Sequence, residues 1–137
     1  MIIKEWTKQI SATTKENQQD VLFNEILRER AAVLSRAGFA VEDALAGLSR
    51  IEQKIQNNIN KLNLLWEEGA SGNASPDEQV IFEEINSCID EFNAACKKAE
   101  LQFYYLIVTR EAMGLRRHET VKQLYAVPPK KKKLQVA

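Results

Sequence analysis

The stretch Val41–Trp66, VEDALAGLSRIEQKIQNNINKLNLLW, decides how the chain folds. Its apolar positions Val41, Ala44, Leu45, Leu48, Ile51, Ile55, Ile59, Leu62 and Leu65 follow one another mostly at steps of three and four. At about 3.6 residues per turn such positions share one face of an α-helix, so the stretch predicts a long amphipathic helix. Gly69 ends it. The run Gly69 to Ser75, GASGNAS, is small and polar throughout and reads as a flexible turn.

Downstream the pattern resumes with a strong start signal. Ser75 is placed as N-cap, Pro76 as the first helical residue and Glu78 as the far side of a capping box. Ile81, Ile85, Cys88, Ile89, Phe92, Ala95, Cys96, Ala99, Phe103, Leu106 and Ile107 then form the stripe of a second long helix, which runs to Met113 and stops at Gly114. Upstream, Val21, Leu22, Ile26, Leu27, Ala31, Val33, Leu34 and Ala37 give a broad apolar face. Gly38 and Phe39 suit a left-handed cap in which Phe39 folds back on Leu34. Only Glu42 and Asp43 mark the start of the next helix, which leaves a kink at Gly38 as the alternative to the turn expected there.

These elements predict an all-α fold: an antiparallel helical bundle of three main helices, the last two a long hairpin through GASGNAS and the first completing the core. A short helix over Leu115 to Tyr125 follows, with Leu115, Val121, Leu124 and Tyr125 as its apolar set. Pro128 and Pro129 end regular structure. Residues 1–126 are thus expected as a single domain and residues 127–137 as a disordered basic tail.

Charge is balanced overall, with 19 Lys and Arg against 19 Asp and Glu. Lys130 to Lys133 carry +4 of it, so residues 1–129 stand at −4, and the acids are richest between Pro76 and Val108. No apolar run approaches the roughly 20 residues that span a bilayer, and a cytoplasmic location is the expectation. Cys88 and Cys96, eight residues apart on one helix, are separated by about 12 Å along its axis, too far to bridge. Both read as reduced thiols facing the core.

The residue types that catalysis needs are sparse. The single histidine, His118, lacks the Glu-x-x-His pattern of a di-iron bundle and reads as a solvated residue at a helix end. Glu67, Glu68, Glu83 and Glu84 read as a solvated face rather than a metal site. The turn GASGNAS has no phosphate-binding lysine. No enzyme activity, metal or cofactor is expected.

Two sets of residues point to partners. Leu101, Tyr105, Val108 and Ala112 lie on a second side of the last long helix, and Ile3, Trp6 and Ile10 have helical spacing at the N-terminus. This surplus apolar surface either closes the monomer or forms an oligomer, and the leading reading is a non-catalytic protein interaction module that self-associates as a homodimer and binds another protein. The alternative is a nucleic-acid-associated protein using Arg110, Arg116, Arg117, Lys122, Lys130, Lys131, Lys132 and Lys133. TREAMGLRRHETVKQLY has the order of a helix-turn-helix but puts Arg110 where a small residue belongs, and Thr120 and Gln123 at apolar positions. A third role for the lysines is to fold back on the acidic Pro76 to Val108 face, of the same chain or of a partner.

Overall fold

The computed structural model describes residues 2–69 and 76–135, apart from the side chains of residues 2–6 and 8–13. Its elements are α1 (Ile2–Glu67), α2 (Pro76–Ala112) and α3 (Glu119–Leu124), with no strand among the described residues. The chain is all-α. Its contacts divide it into two units, Met1–Arg36 and Ala37–Ala137.

In the second unit the core follows the two long stripes. From α1 come Val41, Leu48, Ile55 and Leu62, buried at steps of seven, and from α2 come Ile85, Cys88, Ile89, Phe92, Cys96, Ala99 and Leu106. Leu48, Ile55 and Leu62 belong to one cluster with the α2 residues Ile85 to Ala99. Burying a large apolar side chain of this kind stabilises the fold by about 1.5–3 kcal/mol. Phe92, with no exposed surface, is the largest of them. Near the ends of the two helices, Trp66 of α1 stacks at a tilt on Phe82 of α2, and its indole N–H donates to the Glu78 carboxylate. One buried position is polar: Asn58 is only 5 % exposed, beside Ile59, which packs half-buried against the core as its place in the stripe predicts.

The glycines differ in what they do. Gly69 and Gly114 adopt positive φ, 105° and 85°, just past the ends of α1 and α2. At Gly114 the ending is a Schellman motif: Gly114 N–H donates to the Glu111 carbonyl at 2.9 Å and Leu115 N–H to the Arg110 carbonyl at 2.9 Å. Gly38 does neither, which corrects the turn expected there. It lies within α1 and keeps helical φ, because among the described residues positive φ is confined to Gly69 and Gly114. Leaving the helix at Gly38 would break backbone hydrogen bonds, whereas a glycine inside a helix costs only about 1 kcal/mol. Phe39 is 62 % exposed and does not fold back to make a cap.

Three further expectations change. The first apolar segment does not complete a core, since every residue from Thr14 to Val33 is exposed. The C-terminal helix is shorter than Leu115–Tyr125, because residues 115–118 are non-helical and α3 spans Glu119–Leu124. The tail through residue 135 is not disordered. It lies against α2, with Val127 packed on the core. GASGNAS beyond Gly69, including the Ser75 side of the capping box, lies outside the described residues.

Candidate interaction surfaces

The tail is held chiefly through its main chain. Lys131 N–H donates to Asn93 Oδ1 at 2.9 Å, and Asn93 Nδ2 donates back to the Lys131 carbonyl at 2.9 Å. Asn86 repeats the clamp: Leu134 N–H donates to its Oδ1 at 2.8 Å, and its Nδ2 donates to the Leu134 carbonyl at 3.1 Å. A third contact runs from Cys96 Sγ to the Pro128 carbonyl at 3.6 Å. The spacings match. Asn86 and Asn93 are seven residues apart on α2, about 10.5 Å, and the two residues they clamp are three apart in extended chain, about 10 Å.

Side chains add charge and an apolar floor. Lys131 Nζ lies 3.3 Å from Glu52 Oε1 of α1 and 5.0 Å from the centre of the Phe92 ring. Lys133 Nζ lies 3.1 Å from Asp90 Oδ2. Both ion pairs are open to water and contribute little individually. Burial, and next the charge of Glu100, push the Cys96 thiol above its ordinary value, while Lys130 and Lys131 oppose the rise. Cys88 and Cys96 are both unbridged and buried.

The turn after α2 organises a second group. Arg110 donates from Nη2 to the Arg117 carbonyl at 2.9 Å and from Nε to His118 Nδ1 at 3.4 Å. The other ring nitrogen, Nε2, faces Glu111 Oε1 at 3.2 Å. These bonds hold residues 115–118 off the helical path, and they correct the solvated reading of His118, whose side chain is 11 % exposed. Tyr125, at the end of α3, donates its hydroxyl to Glu42 Oε1 at 2.7 Å, and that bond raises the phenol above its usual pKa.

The candidate basic contacts are therefore divided. Arg110 is committed to the turn, Lys131 and Lys133 face acids of their own chain, and Arg116, Arg117, Lys122, Lys130 and Lys132 are exposed. Among the candidate apolar contacts Leu101, Tyr105, Val108 and Ala112 are exposed, as is Tyr104, while Leu106 on the other side of α2 is buried. In the first unit Val21, Leu22, Phe23, Ile26, Leu27 and Val33 are exposed by 37 to 61 %. The side chains of Ile3, Trp6 and Ile10 lie outside the described residues.

No family model, curated protein or solved structure matches this chain. Among the described residues no three His, Cys, Asp or Glu side chains gather as a metal site, and no helix is long and apolar enough to cross a membrane. The residues that sequence reasoning missed are Asn86 and Asn93. Their signal was a pair of asparagines seven apart beside the buried stripe.

Proposed function

We propose that the protein is a non-catalytic helical interaction module that self-associates through exposed apolar rows on its long helices. The observation that carries this reading is the first unit: Thr14 to Val33 is helical and wholly exposed, yet bears Val21, Leu22, Phe23, Ile26, Leu27 and Val33. Helices owe most of their stability to packing of an apolar face, and a row of this size left in water favours burial against another chain. Leu101, Tyr105 and Val108 offer a second such surface on α2.

In this reading the second unit is an antiparallel hairpin that presents α2. Two contacts support it: Trp66 meets Glu78 and Phe82 where the helices are joined, and Glu42 takes the Tyr125 hydroxyl beyond the far end of α2. The partner favoured by the argument is a second copy.

Light scattering across a concentration series tests the proposal on the full chain beside two variants, Leu22→Glu/Ile26→Glu and Tyr105→Glu/Val108→Glu. A dimeric parent and a helical, monomeric variant are expected, and the variant that dissociates identifies the surface. A parent that stays monomeric throughout the series overturns the reading.

A further inference from the structure

We propose that the α2 face under the tail is a binding site for an extended, lysine-bearing peptide segment of a partner protein, recognised through its main chain, and that residues 127–135 occupy it as a tethered competitor. The site has three parts. Asn86 and Asn93 each present an amide that satisfies both the N–H and the C=O of one peptide residue. Phe92 and Cys96 form an apolar floor, wholly covered with the tail in place. Glu52 and Asp90 stand where lysines two residues apart arrive, and the ammonium nearer the floor also meets the Phe92 ring.

This division of labour is that of peptide recognition in extended form: main-chain bonds fix the register and side-chain contacts choose among sequences. A side-chain amide reads any residue that has an N–H, so the clamps tolerate many sequences and exclude proline. Lysines at the first clamped residue and two places on satisfy the two carboxylates. The ligand class is therefore an extended segment of pattern Lys-x-Lys without proline at the clamped positions. The seated tail meets that description, with Lys131 and Lys133 as its pair.

Its hold is suited to exchange. The ion pairs are exposed and screened by salt, and each main-chain hydrogen bond contributes only about 0.5–1.5 kcal/mol net. Beside these contacts and the packing of Val127 on the core, the tether supplies a local concentration on the order of millimolar. A partner segment gains the same contacts whenever the tail lifts. The inference is independent of association through the apolar rows.

The test uses the full chain carrying Lys131→Pro and Leu134→Pro, which deletes both clamped N–H donors from the tail and leaves the helices unaltered. Its helicity is checked by circular dichroism. The probe is a labelled synthetic peptide of residues 127–135, VPPKKKKLQ, beside the same peptide N-methylated at its Lys131 and Leu134 equivalents. Expected are saturable binding of the plain peptide, binding to the unaltered parent weakened by its own tail, and a loss of about tenfold or more for N-methylation or for Asn86→Ala or Asn93→Ala. Equal binding of plain and methylated peptides would reduce the site to charge attraction and overturn the proposal, as would no binding by a folded variant. A parent dimer that the proline pair dissociates would also overturn it, in favour of tails exchanged between copies. The apolar-row variants leave peptide binding unchanged, so this test and that of self-association fail separately.

Discussion

A methyl group added at Gly38 would stand 3.7 Å from the Tyr125 hydroxyl, an ordinary contact, on a backbone that is already helical. Alanine restricts the unfolded chain more than glycine does, so Gly38→Ala should raise stability by about 0.5–1 kcal/mol, read as a higher urea midpoint at unchanged slope. A lower midpoint would mean that the Tyr125 to Glu42 bond is displaced. Gly69 and Gly114 are a different case, because at φ 105° and 85° a side chain is strained whatever the space around it. Reading glycines from sequence succeeded at Gly69 and Gly114, where the apolar pattern also stops, and failed at Gly38, where α1 continues. A glycine alone does not end a helix; its hydrogen-bonding neighbours decide.

Among the elements, the stripes of α1 and α2 were legible because burial imposes a period, and a period survives in sequence without any knowledge of the partner. Of the tail, only the charge match was legible, as the fold-back of its lysines on the acidic Pro76 to Val108 face of the same chain, which Lys133 makes at Asp90. The tail's path is set by Asn86 and Asn93, whose seven-residue spacing puts them on one face of α2 but names no ligand until the tail lies across them. Cys96 reports on that seating. Its burial and the neighbouring Glu100 favour the neutral thiol in the folded chain, so the stabilisation this provides is complete below the thiol's ordinary value and is lost as pH rises through the elevated folded one. Near pH 8 Cys96 should therefore react with a thiol reagent far more slowly than in unfolded chain. Asn86→Ala/Asn93→Ala should speed its modification severalfold, followed site by site with mass spectrometry. An unchanged rate would show that Cys96 is shielded by the helices alone.

For the molecule as a whole, the two units differ in what holds them. Residues 48 to 62 of α1 have a core of their own chain, whereas the apolar side chains between Thr14 and Val33 are exposed. Hydrogen exchange should separate them: protection of the Thr14 to Val33 amides should rise with protein concentration, and that of Leu48 to Leu62 should not. Concentration-independent protection in both segments would speak against burial of the first unit by a second copy.

The order of the tail contacts has a mechanical consequence. Leu134, Lys131 and Pro128 are fastened in turn to Asn86, Asn93 and Cys96, so a force or a processive protease acting from the C-terminus meets the fastenings in series. A load shared in parallel would have to break all of them at once. Under a pull directed away from α2 at that end, each should give way in turn, and the chain should peel back toward Val127.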